Sequence, residues 1–277
     1  MNIGKYLQMY SEELTRKGYR KNSIENYISY TKVFLEKHNH IAEKPTEINE
    51  QRIKDFLRGF KEHNTQRAYH SAIKAFYKYV VKQPNKFRWI EYCKRSRKLP
   101  IVLSADEMQR IIDAATNLKH KTIIMLMYSC GLRVGEVINL KINDIDSNRM
   151  VIYIRDAKGG KSRQVPLHEN MLTKLREYYK QYKPKEYLFN GQLSEKYSEQ
   201  SIRQFLKFYS SRAHVQKRVY PHLLRHSSFT NMCEAGVDTS IIQKVAGHSS
   251  IRCTQLYTHI SSSLINKIYN PLSQISA

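Results

Sequence analysis

Cysteine is scarce in this sequence, and its four residues, Cys93, Cys130, Cys233 and Cys253, form no C-x-x-C pair. That spacing points to neither a zinc site nor a disulfide framework, and reduced thiols in a cytoplasmic protein are the simplest reading. Long apolar runs are missing too. The longest, Ile123 to Met127, has five residues, far short of the roughly 18 needed to span a bilayer, so no membrane partner is expected. The N-terminal stretch Met1-Asn2-Ile3-Gly4-Lys5 lacks the apolar core of a secretory leader, which again predicts a cytoplasmic location. Acidic residues are few: 24 Asp plus Glu stand against 47 Lys plus Arg, for a formal charge of +23.

The positive charge is spread along the chain. Up to Lys98 there are 22 basic and 10 acidic residues, and beyond it 25 and 14, so the two parts carry +12 and +11. A cationic tail on a neutral body is therefore excluded, and a polyanion running across both parts suits the pattern. Charge alone also fits a ribosome-associated or merely soluble cationic protein. At 277 residues, with 41% hydrophobic content, the chain can fill the cores of two ordinary domains.

The first hundred residues read as helical. Ile24, Tyr27, Ile28, Thr31, Phe34 and Leu35 recur at helical spacing behind a cap at Asn22 or Ser23. Tyr69, Ile73, Phe76 and Val80 form a second stripe, capped near Thr65, whose other face carries Arg67, Lys74 and Lys78. Such a basic face either enters a DNA groove or is simply solvated. The charged stretch from Lys94 to Pro100 reads as a linker. A new helix follows, with Ser104 and Glu107 as a capping box, Leu103 and Met108 as its hydrophobic staple, and a buried stripe of Met108, Ile111, Ile112 and Ala115. The predicted organisation is a helical domain over 1–94, a linker over 95–102, and a second domain over 103–277 with a tail from about 261. Within the second domain, Ile123–Tyr128 reads as a buried helix ending before Gly131. Met150–Arg155 and Ser162–Leu167 read as a hairpin whose turn contains Lys158-Gly159-Gly160-Lys161.

Five short segments carry candidate chemistry. In Gly131-Leu132-Arg133-Val134-Gly135-Glu136, Gly131 suits a left-handed helix end, and Glu136 lies three residues from Arg133, where it either orients that side chain or makes a plain surface ion pair. Lys158 and Lys161 at a hairpin tip can reach a phosphate or remain solvated. In Pro221-His222-Leu223-Leu224-Arg225-His226, Pro221 suits a first helical turn, and His222 and Arg225 share one face. That pair suits a phosphate, since one member can move a proton and the other offers two fixed donors. Gly247 caps a helix over Thr239–Ala246 and His248 follows it. The segment from Ala235 to Gly247 loosely resembles a helix-turn-helix. The fifth segment is Gln255-Leu256-Tyr257-Thr258-His259, one tyrosine among 20.

Each segment alone is weak, but their order is specific. Arg133, Lys158, His222-x-x-Arg225, Gly247-His248 and Tyr257 run in sequence, with 23 residues from Arg225 to His248 and nine from His248 to Tyr257. Here the chain resembles the tyrosine recombinase (phage integrase) family, and its Xer-type members most of all. The resemblance is sharpest over 129–260 and extends more loosely over the whole chain. It implies a mainly α fold with a small antiparallel β-sheet: a helical, SAM-like core-binding domain followed by an α+β catalytic domain. Lys158 aligns with the family's hairpin lysine, and Lys161 is the rival.

The resemblance also implies a reaction. Tyr257 would attack a DNA phosphodiester, expel a 5′-hydroxyl and leave a 3′-phosphotyrosyl link, which conserves the bond energy without ATP. Arg133 and Arg225 would hold the non-bridging oxygens, His248 would add a hydrogen bond, Lys158 would protonate the leaving oxygen and His222 would take the tyrosine proton. These groups replace a metal ion, so no metal and no cofactor are expected. The implied partners are double-stranded DNA with paired half-sites and three further recombinase subunits in a tetramer on synapsed DNA, either identical copies or a related recombinase. Leu264, Ile265, Ile268, Tyr269 and Leu272 form an apolar stripe in the tail that docks either on a neighbouring subunit or on its own domain. The rival readings are a type IB topoisomerase and a non-catalytic DNA-binding protein. Chromosome-dimer resolution, integration or excision, and inversion all remain open as the biological task.

Overall fold

The computed structural model describes residues 1–92, 101–155, 162–192 and 194–247. The chain divides into two compact units at Lys98 and Leu99. The first is helical: α1 (Ile3–Arg16), α2 (Lys21–His38), α3 (Glu50–Arg58) and α4 (His63–Phe76). Asn2 and Asn49 start α1 and α3 by accepting the amides of Lys5 and Arg52, which satisfies donors that a helix start leaves unpaired. The apolar stripes then meet around Tyr10, Leu14, Phe34, Leu35, Phe56, Ile73 and Phe76, all buried. Tyr10 and Tyr77 bring hydroxyls into this core, and each donates to a carbonyl, of Ala72 at 2.7 Å and of Pro45 at 2.8 Å. An unpaired buried hydroxyl would cost free energy, so these bonds fix where the rings can sit.

Two helix starts differ from the sequence expectation. The second helix begins at Lys21 behind Arg20, and the fourth at His63 behind Glu62, neither with a side-chain cap. Asn22, Ser23 and Thr65 lie inside the first turns. Burial of the stripes outweighs the modest benefit of a cap. Beyond Phe76 the chain widens into a π-helical turn, Tyr77–Val81, which ends at left-handed Lys82, so Val80 of the expected stripe lies past the α-helix.

The second unit is α+β. It contains α5 (Ala105–Ala114), α6 (Leu118–Ser129), α7 (Val134–Asn139), β1 (Ile145–Asp146), β2 (Val151–Ile154), β3 (Arg163–Pro166), α8 (Glu169–Tyr182), α9 (Glu199–Arg212), α10 (Pro221–Glu234) and α11 (Thr239–Ala246). The Ser104–Glu107 capping box starts α5 as expected: Ser104 Oγ accepts the Glu107 amide and Glu107 Oε2 accepts the Ser104 amide. Leu103 and Met108 are buried on either side of it. α6 buries Ile123, Ile124, Leu126 and Met127, so little of its circumference faces water. The sheet is antiparallel in the order β1-β2-β3. Its β2–β3 pair is the expected hairpin, and the two-residue β1, which no alternation marks, pairs Ile145 with Ile152. Ile152 and Ile154 face Val165 and Arg163 in register, so Arg163 is on the same, core-facing side as Val165.

α10 is the element around which the site is built. Leu223, Leu224, Arg225, Ser227, Ser228, Phe229, Thr230 and Cys233 are all buried on it, so its polar groups need internal partners. Ser227 Oγ donates to the Leu223 carbonyl and accepts the Leu103 amide, both at 2.8 Å. The chain entering α5 is thereby tied to the helix that carries His222 and Arg225. Lys217 holds the same stretch from the other side, donating to the Val102 carbonyl at 2.8 Å and to Glu107 at 2.6 Å.

Candidate active site

Arg133 is the N-cap of α7, and Glu136 folds back over it. Glu136 Oε2 accepts the Arg133 amide and Oε1 accepts Arg133 Nη1, both at 2.8 Å. The same two oxygens accept Nη1 and Nη2 of Arg163, again at 2.8 Å each. Four N–H groups thus fill the acceptor sites of one carboxylate. The Glu136 side chain is only 7% exposed. Burial pushes its pKa up, but the hydrogen bonds and charge of Arg163, followed by those of Arg133, win and hold it at about 2. Sequence reading therefore placed Glu136 correctly beside Arg133 but missed its main partner. The missed signal was a charged residue, Arg163, at an inward position of the alternation Arg163, Val165, Leu167.

Arg225 is 1% exposed, the largest fully buried side chain among the described residues. Its Nη1 donates to the carbonyl of Gly131 and its Nη2 to that of Ala246, while its guanidinium lies 4.8 Å from the Phe229 ring centroid. The two carbonyls belong to the C-terminal ends of α6 and α11, where the backbone dipoles place negative charge. Gly131 makes that approach possible. Its φ is +58°, and a Cβ there would lie 2.7 Å from Phe229 Cε1 and closer still to Cζ. Gly247 likewise ends α11 in the left-handed region, at φ +61°.

His222 sits on the first turn of α10, one turn from Arg225, and its ring centroid is 4.2 Å from that of His226. It reaches solvent. Partial burial of the ring, then the positive charges of Arg225 and Arg133, push its pKa below the usual histidine value. One imidazole thus feels both guanidinium groups, Arg225 from its own helix and Arg133 from the start of α7, where Glu136 holds it. Among the described residues, Nε and Nη2 of Arg133 donate to no protein atom, and its side chain is 29% exposed. The site therefore keeps cationic donors for a ligand. Lys158, Lys161, His248, Tyr257 and the tail stripe from Leu264 to Leu272 lie outside the described residues.

Arg67, Lys74 and Lys78 belong to the first unit. Arg67 and Lys74 stand over the Tyr92 ring, at 4.8 and 5.8 Å, and Lys78 stands over Tyr79 at 5.4 Å. Cys130 and Cys233 are buried free thiols, and burial raises Cys130 to a pKa of about 11, which makes it a poor nucleophile. Among the described residues no group of three or more His, Cys, Asp or Glu is placed to hold a metal ion, and no helix is long and apolar enough to cross a membrane.

Comparison with known proteins identifies the family and the fold. The phage integrase family matches residues 102–263, and the N-terminal SAM-like domain of phage integrases matches residues 6–86. Tyrosine recombinase XerA of Pyrococcus horikoshii is 32% identical over 262 residues, which span 92% of this chain and 89% of that protein. A crystal structure of XerA recombinase aligns over the whole of both chains with a TM-score of 0.58 and 30% identity. XerH recombinase, crystallised on a palindromic difH substrate in a post-cleavage complex, shares the fold with a TM-score of 0.76 over 88% of this chain and 78% of that one, at 21% identity. The chain belongs to the phage integrase family and is a tyrosine recombinase similar to the Xer proteins.

Proposed function

We propose that this enzyme cuts and rejoins double-stranded DNA at paired half-sites through a 3′-phosphotyrosyl link to Tyr257. The observation that carries this reading is the grouping of Arg133 and Arg225 around His222, with Nε and Nη2 of Arg133 donating to no atom of the described residues. A phosphodiester is the group those donors suit, because planar guanidinium forks match its non-bridging oxygens.

In the proposed reaction the Tyr257 hydroxyl oxygen attacks phosphorus and the bond to the 5′-oxygen breaks. Neutral His222 takes the tyrosine proton, and its lowered pKa favours the neutral form at pH 7. Lys158, with Lys161 as the alternative, gives a proton to the departing 5′-oxygen. Arg133, Arg225 and His248 balance the charge that builds on the phosphate oxygens. Reversal with a different 5′-hydroxyl rejoins the strand. The bond energy stays in the phosphotyrosine, so no ATP is required, and the guanidinium groups do the charge balancing that a metal ion would otherwise do.

Four strand cuts on two sites call for four subunits, so the assembly proposed is a tetramer on synapsed DNA, homomeric or shared with a related recombinase. The tail beyond residue 261 is its exchange contact, and Arg67, Lys74, Lys78 and Lys161 are DNA contacts. The place of action is the nucleoid in the cytoplasm. A nicked suicide substrate tests the core of the reading. Wild-type protein should form a covalent adduct on one sequence only, and Tyr257→Phe should form none while still binding that DNA. Adducts that persist in the mutant sink the nucleophile assignment, and adducts on any sequence point to a topoisomerase instead.

A further inference from the structure

Arg163 has no role in the reaction set out above, yet it joins two parts of the site's support, Glu136 at the start of α7 and the end of α11. It lies on β3, on the core side of the sheet, with 8% of its side chain exposed. Its Nη1 and Nη2 take the two oxygens of Glu136 head-on, and its Nε donates to the Val245 carbonyl at 2.7 Å. That carbonyl is next to the Ala246 carbonyl, which Arg225 holds. Two arginines from two different elements thus occupy successive carbonyls at the end of α11. Gly247 follows immediately, and a Cβ there would come within 2.9 Å of Arg163 Cδ. The guanidinium and its stem therefore fill the space between Glu136 and the end of α11.

The direction in which Arg133 points follows from this. A carboxylate offers about four acceptor positions. Arg163 takes one on each oxygen as a planar fork, which fixes the plane of the Glu136 carboxylate. The two remaining positions accept the Arg133 amide and its Nη1. Among the described residues Arg133 is then tethered by one side-chain bond, and its Nε and Nη2 make none to Glu136. Without the fork, the carboxylate could rotate and draw more of Arg133 onto itself.

We propose that Arg163 is a positioning residue of the recombination site: it orients Arg133 through Glu136 and holds the end of α11 against β3. This inference rests on the phosphoryl-transfer reading of the same site. A lysine keeps the charge but cannot form the planar fork, because its donors spread from a single nitrogen, so the charge is not what the inference turns on.

The test uses the full chain and a nicked half-site DNA at saturating protein. Arg163→Lys and Arg163→Gln should lower the single-turnover rate of adduct formation by about 30-fold or more, the order expected of a small misplacement of a catalytic group. The Kd for the same DNA should stay within about threefold of wild type, because binding does not depend on the fork. Glu136→Gln should produce a similar loss, and the Arg163→Lys, Glu136→Gln double variant should be no slower than the slower single variant, as expected for residues acting in one chain. Thermal melting in parallel establishes that each variant is folded at the assay temperature. If Arg163→Lys is not, Glu136→Gln makes the same test from the other partner.

An adduct rate within about threefold of wild type for Arg163→Lys overturns the inference, as does a loss confined to Kd, or single losses that multiply in the double variant. A wild-type protein that forms no adduct fails the functional reading itself, so the two failures are distinguishable.

Discussion

Replacing Gly131 by alanine adds a single methyl group at the point where α6, Arg225 and Phe229 meet, and the cost can be worked from the structure. The backbone there has φ +58°, a conformation that costs an L-residue about 1 kcal/mol over glycine. The new Cβ would be 2.7 Å from Phe229 Cε1, whereas carbon atoms settle at about 3.5–4 Å. Phe229 cannot easily retreat, because it is fully buried and the Arg225 guanidinium is stacked 4.8 Å from its centroid. Overpacking of this kind costs about 1–3 kcal/mol, so the total is about 2–4 kcal/mol, or a Tm lower by about 4–16 °C for a domain of this size.

Thermal and urea unfolding of Gly131→Ala measure that loss, and the adduct rate on the nicked substrate measures a second effect. The Gly131 carbonyl is a partner of Arg225, so the rate should fall even well below the Tm. Adding Phe229→Leu makes room for the methyl group. The double variant should then be more stable than the sum of the single losses predicts, by about 1 kcal/mol or more. A Gly131→Ala protein that melts within about 2 °C of wild type, or strict additivity in the double variant, refutes the reasoning.

Three further outcomes follow from the site. The Glu136 carboxyl titrates near 2 when folded and near 4.5 ordinarily, so its stabilising contribution is complete above about pH 4.5 and is lost as the pH falls toward 2. Glu136→Gln should therefore cost about 3 kcal/mol at pH 7 and less than about half of that at pH 3, read by urea unfolding at both values. A difference that does not change with pH contradicts the ion-pair account. The lowered pKa of His222 implies that adduct formation rises with pH through a midpoint below 6.5 and is flat by pH 7. His222→Gln should lose that acid limb, and a wild-type rate still climbing above pH 7.5 assigns the base elsewhere. Ser227→Ala strands the buried Leu103 amide and should cost about 1–3 kcal/mol. If urea unfolding shows no loss, that amide has another partner.

Much of this was legible in the sequence because it depends on neighbours three or four residues apart. The Ser104–Glu107 capping box, the Arg133–Glu136 pair, the shared face of His222 and Arg225, and the left-handed helix ends at Gly131 and Gly247 are all short-range geometry, and each stands as the spacing predicts. The hairpin strands were visible through their alternation. The starts of α2 and α4 and the π-helical turn at Tyr77–Val81 were not, because core burial decides them over propensity.

Order and spacing along the chain reveal the family, most of the elements and which side chains stand within one helical turn of each other. What those side chains touch follows from how distant elements pack. Arg225 reaches Gly131 across 94 residues, and Arg163 reaches Glu136 across 27 and Val245 across 82. No local pattern encodes such pairs. They arise because α10 and β3 are buried on faces that carry an arginine, and a buried cation must find carbonyls or a carboxylate wherever the packing of other elements happens to present them.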